Sequence, residues 1–355
     1  MIATDVREQN RTKASGTGWK RLITASVRPL GNKNRVLIVG SGDLAKQVCQ
    51  ALMAQRRRPV EVVGFLGVDS GRIGKRLVNL RIIGTIDQLF EIVERNKVQT
   101  VAVCLEDRRA VLPVQTLPDF KAMGLEVVDG HDLYEQVTGR LSIDQLRPSA
   151  LIFSSGFRRV AAVMGIKRLI DLSLSAIGFG LLLPLGLLVM ALIKLDSPGP
   201  IFYRQTRVGL HGQPYAMWKF RSMRQDAESE GACWAAPGDP RVTRVGRWLR
   251  KWRIDEMPQL LNVLKGEMSL VGPRPERPVF VQELRGFIPF YDVRHTVRPG
   301  ITGWAQIRFR YGASAEDTHV KLQYDLYYVK NLSLLLDFRI LLQTIRVVLI
   351  GEGAR

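Results

Sequence analysis

Two adjacent carboxylic acids, Asp255 and Glu256, are the residues of this chain best suited to chemistry. Pro258 follows them, and an apolar stretch then runs to Lys265 and stops at Gly266. Proline favours the first turn of a helix and glycine the position after its end, so the acids are predicted at a helix start. Arginines flank the pair on both sides: Arg247, Arg250, Arg253, Arg274 and Arg277. This arrangement suits a metal-bridged polyphosphate, although first-turn acids and surface arginines are also common without a site.

The overall charge narrows the class of partner. The 355 residues include 52 Lys and Arg against 33 Asp and Glu, which gives a formal net charge of +19. A balance this basic predicts an anionic partner, either a nucleic acid, an anionic lipid or a phosphorylated substrate. The sequence contains no aromatic–basic RNA motif, zinc-finger spacing or helix-turn-helix signature, so no nucleic acid is expected. The chain is long and apolar enough for two domains with cores.

The N-terminal residues and the cysteines predict a reducing, cytoplasmic setting. Residues 1–34 form a polar, basic arm without an apolar core or cleavage site, so no signal peptide is predicted. The arm is expected to be flexible or to contact anionic lipid headgroups. Cys49, Cys104 and Cys233 lie far apart without a CxxC pair, which argues against a disulfide framework.

From residue 35 to about 150, apolar strands alternate with helices, which predicts a Rossmann-like, doubly wound parallel sheet. The first strand leads into Gly40 and Gly42 in a G-x-G-x-x-A pattern, the context of a dinucleotide-binding turn. The acid expected about 20 residues later is not well placed, because Asp69 comes 27 positions after Gly42. The pattern therefore predicts the fold, and two interpretations of the glycines stay open: nucleotide binding, or packing of a helix on a strand.

Residues 172–193 contain no charged side chain over 22 positions, long enough to cross a bilayer. Pro184 lies near their centre, where it removes a backbone donor and should bend a helix. Both flanks are basic, and positive charge favours the cytoplasmic side. We predict a linker over 151–165 and a re-entrant membrane hairpin over 166–195, hinged at Pro184, in preference to a full span or a buried core helix. The apolar stretch Leu334–Ile350 predicts an amphipathic helix at the membrane or on the globule.

Beyond the apolar segment, several motifs follow in a fixed order. They are Asp196-Ser-Pro-Gly-Pro-Ile-Phe-Tyr-Arg-Gln205, Lys219-Phe-Arg-Ser-Met223, Arg250 with Asp255-Glu-Met-Pro-Gln259, Gly272-Pro-Arg-Pro275 and Arg298-Pro-Gly-Ile-Thr-Gly303. Together with the apolar segment, they resemble the bacterial sugar transferases, which are monotopic polyprenyl-phosphate phosphoglycosyl transferases. The resemblance covers residues 166–355, and the upstream half is similar to the nucleotide-binding-like domain of larger family members.

The resemblance implies an activity: transfer of a sugar 1-phosphate from a UDP-sugar to undecaprenyl phosphate, with release of UMP. It implies that Asp255 is the nucleophile, which would form a covalent aspartyl–phosphosugar intermediate, and that Glu256 is a ligand of Mg²⁺. It further implies a small α+β catalytic domain over 196–355, insertion into the bacterial inner membrane from its cytoplasmic face, and a role in the first membrane step of exopolysaccharide or related glycoconjugate synthesis. It leaves the sugar and the oligomeric state open, and a homodimer through the upstream domain is one arrangement.

Further basic residues within the motifs are candidates for phosphate or substrate binding. Arg250 and Arg274 are expected to neutralise phosphates. Lys219 and Arg221 are candidates for the same task or for holding the strand that carries them. The uridine side is expected to be shaped by Arg298, Pro299 and Gly300.

Two other functions remain as alternatives. One is an NAD-dependent sugar-nucleotide oxidoreductase or epimerase that uses the Gly40 loop, since Tyr215 and Lys219 satisfy a Y-x-x-x-K pattern. The other is a non-enzymatic membrane scaffold for polysaccharide assembly. Nicotinamide-dependent absorbance changes would distinguish the first, and indifference to Asp255→Ala would distinguish the second.

Overall fold

The computed structural model describes residues 35–55, 60–105, 124–143, 156–157, 160–227, 239–309 and 315–350. The predicted arm and the predicted domain boundary at residue 150 lie outside these residues. The chain divides into two compact units, Met1–Leu133 and Tyr134–Arg355. The division point falls within a helix, Gly130–Thr138.

The first unit contains the predicted doubly wound sheet. Its elements are β1 (Arg35–Val39), α1 (Asp43–Met53), β2 (Glu61–Gly67), β3 (Arg76–Leu77), β4 (Leu80–Thr85), α2 (Leu89–Arg95), β5 (Thr100–Val103), β6 (Glu126–Asp129) and the start of α3 (Gly130–Thr138). The sheet order is β3-β4-β2-β1-β5-β6. All neighbours pair in parallel except β3 and β4, which form an antiparallel pair. Because the chain extends outward from β1 in both directions, the Rossmann-like prediction is confirmed.

The strands at the centre of this sheet are the continuous apolar runs seen in the sequence. The last four residues of β1 are buried, and Leu37 and Val39 pack in one core cluster with Leu66 and Val101. Strands of a parallel sheet are covered on both faces, which explains why they show no apolar–polar alternation. The strand β4 was not predicted, because Arg81 and Gly84 interrupt its apolar run.

The glycine loop after β1 is tight. Gly40 has φ 124°, and a Cβ atom there would lie 2.5 Å from the carbonyl oxygen of Cys104. Gly42 is the N-cap of α1. The Oδ1 atom of Asp69 accepts a hydrogen bond from the backbone N–H of Gly71 at 2.9 Å, which caps the short turn after β2. Close packing therefore accounts for a glycine at position 40, and capping of the turn accounts for an aspartate at position 69.

The second unit combines helices with two short sheets. Its elements after α3 are α4 (Ala161–Asp196), β7 (Phe202–Val208), β8 (Pro214–Phe220), α5 (Arg244–Lys251), α6 (Gln259–Lys265), β9 (Ser269–Val271), α7 (Pro278–Phe287), β10 (Gly300–Thr302), α8 (Trp304–Arg308), α9 (Ala315–Lys330) and α10 (Leu334–Ile350). β7 and β8 form an antiparallel ribbon, and β9 pairs in parallel with β10. The predicted C-terminal helix is confirmed as α10.

The apolar segment forms one helix, α4, which is 36 residues long and contains Pro184. The predicted two-armed hairpin over 166–195 is therefore wrong in its secondary structure: the helix continues on both sides of Pro184, since a proline removes a single backbone donor. By length and composition, α4 could cross a membrane. One side of it is buried, at Ser175, Val189 and Ile193 for example. Another side exposes large apolar residues: Leu174, Ile177, Leu181 and Leu188.

Buried polar contacts fix the start of α4 to the C-terminal part of the second unit. The Lys167 ammonium donates to Asp337 Oδ2 at 2.7 Å and to the carbonyl oxygen of Val271 at 3.0 Å. The Tyr328 hydroxyl donates to the other oxygen of Asp337 at 2.8 Å. Removing one partner of a buried ion pair typically costs about 3–5 kcal/mol, so these contacts hold α4 firmly against α9 and α10.

The β9–β10 pair depends on a very close approach of two backbones. A Cβ atom at Gly300 would lie 2.1 Å from the backbone nitrogen of Gly272, and one at Gly272 would lie 2.4 Å from the carbonyl oxygen of Arg298. The Gly300 N–H also donates to the carbonyl oxygen of Pro273 at 2.9 Å. Strand packing thus requires glycine at positions 272 and 300.

The substitution Gly300→Ala is expected to lower the thermal midpoint of unfolding, because overpacking typically costs about 1–3 kcal/mol. Gly286→Ala is the matched control: it lies in α7, and a Cβ atom there would meet no heavy atom within 4 Å. Alanine favours a helix over glycine by up to about 1 kcal/mol, so the control should unfold at the same or a higher temperature. Thermal unfolding in detergent compares the two, and equal midpoints would contradict the close-packing interpretation.

Candidate functional site

The acid pair lies in a turn between two helices. After α5, Arg253 adopts a left-handed backbone conformation with φ 58°, and Ile254–Glu256 forms a single 3₁₀ turn. α6 then begins at Gln259, so the acids directly precede a helix, as the sequence predicts. Both side chains are buried, with exposed fractions of 7% for Asp255 and 8% for Glu256. A left-handed residue other than glycine reverses the chain here and directs the acids inward.

Glu256 is held between two cations. Its Oε1 atom accepts hydrogen bonds from Lys219 Nζ at 3.2 Å and from Arg274 Nη2 at 2.6 Å. Burial alone would raise the pKa of Glu256, but the attraction of Arg274 and Lys219 outweighs it and lowers that pKa well below its usual range. Glu256 is therefore ionised at any physiological pH.

Asp255 has the opposite environment. Burial raises its pKa above the usual aspartate value, the Lys219 charge opposes this shift, and the neighbouring charge of Glu256 adds to it. Among the described residues, no donor hydrogen-bonds to the Asp255 carboxylate. An ordinary aspartate is fully ionised at neutral pH, whereas this one is desolvated and unpaired. Such a carboxylate is available to react or to bind a metal.

The pair opens onto a cleft of about 580 Å³. Ligand sites of this size accommodate a small organic molecule or a nucleotide. Cations predominate on the walls of the cleft: Arg207, Lys219, Arg221, Arg224, Arg241, Arg250, Arg253, Arg274, Arg277, Arg294 and Lys321. The four lining acids are Asp255, Glu256, Glu276 and Asp325. Such a balance favours an anionic ligand.

Six of the nine residues predicted for catalysis or for phosphate and substrate binding meet in this cleft, and three do not. Arg250 lines it and donates from Nε to Ser222 Oγ at 3.0 Å. Arg221 also lines it, but its Nη2 donates to the carbonyl oxygen of Ser197 at 2.6 Å, so it ties β8 to the end of α4. Arg298 donates from Nε to the carbonyl oxygen of Gly266 at 2.9 Å, at the end of α6. Of these nine predicted residues, the three that are absent from the described lining of the cleft are Arg298, Pro299 and Gly300.

Comparison with known proteins identifies the family. The family model described as bacterial sugar transferase matches residues 162–351. A UDP-N-acetylgalactosamine-undecaprenyl-phosphate N-acetylgalactosaminephosphotransferase of Aeromonas hydrophila is 50% identical over 62% of this chain and 52% of its own length. A UDP-glucose:undecaprenyl-phosphate glucose-1-phosphate transferase of Escherichia coli is 32% identical over 93% of this chain and 69% of its own length. The chain belongs to the bacterial sugar transferase family.

The coverage differs among these sugar transferases. The chain spans about half the length of the Aeromonas protein. It covers 90% of an uncharacterized sugar transferase of Bacillus subtilis, to which it is 43% identical over 54% of its own length. The family match includes the acid pair, the cations bound to Glu256 and all of α4 except Ala161, so the cleft lies within the part shared by the family.

Several residues of this sugar transferase cleft were not predicted. Arg294 donates to Asp325 Oδ2 at 2.8 Å and to the carbonyl oxygen of Arg274 at 2.7 Å. Arg207 donates to the carbonyl oxygen of Pro275 at 3.0 Å. Both arginines thus support the loop that presents Arg274 to Glu256. They lie far from that loop in sequence, and no local pattern around either indicates the contact.

The acid pair fits the magnesium ion predicted for Glu256. Mg²⁺ prefers oxygen ligands, keeps water molecules, and is usually held by one or two carboxylates together with substrate phosphates. Lys219 and Arg274 both contact Oε1 of Glu256, which leaves its Oε2 atom and the Asp255 carboxylate as oxygen donors. In the described part of the chain, no group of three or more His, Cys, Asp or Glu side chains could hold a metal. The donors therefore suit an ion that shares its ligands with a bound polyphosphate.

Inorganic pyrophosphate is expected to raise the thermal midpoint of the wild-type protein by binding in the cleft. Saturation at about 100 times Kd adds about 2.7 kcal/mol of stability. Lys219→Met and Arg274→Met should each reduce this ligand-induced shift, because each removes a cation from the cleft. Arg285→Met is the matched control, since Arg285 forms an exposed ion pair with Asp292 and does not line the cleft. A shift of the same size in all four proteins would contradict the assignment of the cleft to anions.

Proposed function

We propose that this chain transfers a sugar 1-phosphate from a UDP-sugar to undecaprenyl phosphate and releases UMP. One observation carries the proposal: Asp255 is a buried carboxylate at the wall of a cationic cleft, and no described residue donates a hydrogen bond to it. The Aeromonas and Escherichia relatives are named as transferases with this type of donor and acceptor. The cationic walls match the negative charge that both phosphate-bearing substrates bring.

In the first step, an Asp255 oxygen attacks the phosphorus atom attached to the sugar. The bond between that phosphorus and the bridging oxygen of the diphosphate breaks, and UMP leaves with the electron pair. The product is an acyl phosphate on Asp255, which splits one transfer into two steps. In the second step, an oxygen of undecaprenyl phosphate attacks the same phosphorus. The acyl phosphate bond breaks and the Asp255 carboxylate is restored.

The environment of Asp255 supports its role as the nucleophile. A carboxylate attacks a phosphorus atom only when the charge of the surrounding oxygens is neutralised. Arg250 lines the cleft with its Nε atom bound to Ser222, so its guanidinium is oriented beside the acids. Arg274 keeps Glu256 ionised and adds positive charge. When bound, Mg²⁺ would supply further neutralisation of the diphosphate, held by Glu256 with Asp255.

We further propose that the protein inserts from the cytoplasmic face into the bacterial inner membrane without crossing it. α4 packs against the second unit near both ends, through Lys167 at one end and through Val189 and Ile193 at the other. A helix that crossed the bilayer would have to leave the globule at one of these ends. The exposed apolar side of α4 and the exposed apolar residues of α10 offer a surface to lipid: Leu335, Phe338, Leu342 and Ile345.

The oxidoreductase alternative receives less support from the geometry. Lys219 is bound to Glu256, and Tyr215 is absent from the residues that line the cleft in the described chain. The Y-x-x-x-K pattern therefore does not place two side chains at one site. The scaffold alternative differs from the transferase in needing no Asp255 carboxylate.

The deciding experiment measures UMP release from a panel of UDP-sugars with Mg²⁺ and undecaprenyl phosphate. Asp255→Asn should reduce the rate to background, because an amide does not form the acyl phosphate. Asp292→Asn is the matched control, since Asp292 is an exposed aspartate outside the cleft lining. Mass spectrometry of the donor-treated protein should find a phosphosugar on the peptide that contains Asp255. Equal rates for Asp255→Asn and wild type would refute the mechanism.

The raised pKa of Asp255 predicts the acid side of the pH–rate profile. Asp255 attacks as a carboxylate, so UMP release should fall as pH drops through its pKa, above the value of about 3.9 for an ordinary aspartate. Lys219 lowers this pKa, so Lys219→Met should move the acid limb to higher pH, while Lys219→Arg should preserve it. Initial rates across pH test this, and coincident limbs for Lys219→Met and wild type would count against the ionisation scheme.

A further inference from the structure

The outer face of α5 exposes a stripe of basic and aromatic side chains. It contains residues at positions i, i+3, i+4, i+7 and i+8, which share one face of a helix: Arg244, Arg247, Trp248, Lys251 and Trp252. We call these five residues the α5 stripe. Trp248 is 45% exposed and Trp252 is 41% exposed. The stripe includes no acidic residue, so its three cations are not neutralised within it.

The inner face of α5 is fixed to the protein. Leu249 is buried, and at Gly246 a Cβ atom would lie 2.0 Å from the carbonyl oxygen of Ser222. Arg250, on the same helix, lines the cleft and binds Ser222. Packing therefore forces the α5 stripe to face outward, and no described part of the chain covers its two tryptophans.

The position of the stripe indicates what covers it. The Val245 N–H donates to Asp196 Oδ2 at 3.0 Å, and Asp196 is the last residue of α4. Leu249 packs with Val189 and Ile193 of the same helix. Leu195, the neighbour of Asp196, is 84% exposed. The α5 stripe thus lies beside the end of the apolar helix.

Tryptophan with lysine and arginine is the composition of a membrane interface. Tryptophan rings concentrate at the level of lipid headgroups, and cations near an anionic membrane surface each contribute about 1 kcal/mol of attraction. Lys251 Nζ lies 5.8 Å from the centre of the Trp252 ring, so one cation and one ring already share a site. Nucleic acid or an acidic protein would also satisfy the charge, but neither explains why the stripe adjoins an apolar helix end.

We propose that the α5 stripe binds anionic lipid headgroups and that this contact supports the active geometry of the acid pair. The inference rests on the proposed function, because it places α4 in the membrane. α5 connects the two surfaces: its outer face would meet headgroups, its inner face carries Arg250, and the turn with Asp255 and Glu256 follows its end. Anionic lipid should therefore raise the rate of transfer, and not only retain the protein at the membrane.

The test reconstitutes the full chain into vesicles of phosphatidylcholine with and without phosphatidylglycerol. Phosphatidylglycerol is expected to raise the rate of UMP release several-fold for wild type. The double variant Arg244→Gln, Lys251→Gln, at two exposed stripe cations outside the cleft lining, should keep its rate in phosphatidylcholine and lose most of this stimulation. Arg285→Gln removes an exposed cation of α7 outside the stripe and should retain it. Equal stimulation of the stripe variant and wild type would overturn the proposal.

A second readout does not depend on activity. Brominated lipids quench tryptophan fluorescence at headgroup depth or below, so quenching should fall in Trp248→Phe, Trp252→Phe compared with wild type. Absence of any UMP release, with quenching intact, would refute the proposed function and leave the lipid contact standing. Unchanged quenching in the double variant, or protection of these tryptophans by nucleic acid or acidic protein instead, would overturn the lipid contact.

Discussion

The second unit depends on the charge of Glu256 being buried and still neutralised. A carboxylate taken out of water is tolerated only when cations and hydrogen bonds replace its hydration. Lys219 comes from β8 and Arg274 from the loop after β9, and both bind the same oxygen of Glu256. This interaction joins three separate segments at one point. The cleft exists because these segments meet there.

The same cluster shifts the pKa values of two adjacent acids in opposite directions. The cations lower the pKa of Glu256, while burial raises that of Asp255. The two neighbouring carboxyl groups therefore differ in pKa and in partners, which is a common way for a site to give similar groups different tasks. Glu256 is the structural charge that keeps Lys219 and Arg274 in place, whereas the carboxylate of Asp255 accepts no hydrogen bond from any residue that the structure describes.

Local sequence patterns were sufficient where a feature depends on neighbouring residues. The strand–glycine–helix pattern predicted β1 and α1, and the Pro258 and Gly266 signals predicted α6. The motifs also predicted that Lys219, Arg274 and the acid pair would meet. The patterns failed where a distant partner decides the outcome. Position 300 requires glycine because the backbone of Gly272 approaches it closely, and no local pattern reveals this contact.

The apolar segment illustrates another failure of local reasoning. Pro184 and the basic flanks favoured two arms, yet α4 continues through the proline. Contacts near both ends, by Lys167 with Asp337 and by Ile193 with the β8–α5 region, hold the helix against the globule. Sequence periodicity describes which residues are apolar, but the number of supporting contacts decides whether a proline ends a helix.

The attachment of α4 limits how this protein can be shortened. Deleting α4 to obtain a water-soluble fragment would remove Lys167 and leave Asp337 buried beside Tyr328 without its counter-ion. It would also remove the Ile193 carbonyl oxygen, which accepts a hydrogen bond from Arg221 Nη2 at 3.3 Å. The apolar helix α4 is thus part of the interior of its own domain, and any soluble version would have to be engineered by changing the exposed leucines and isoleucines of α4 while keeping its inward face.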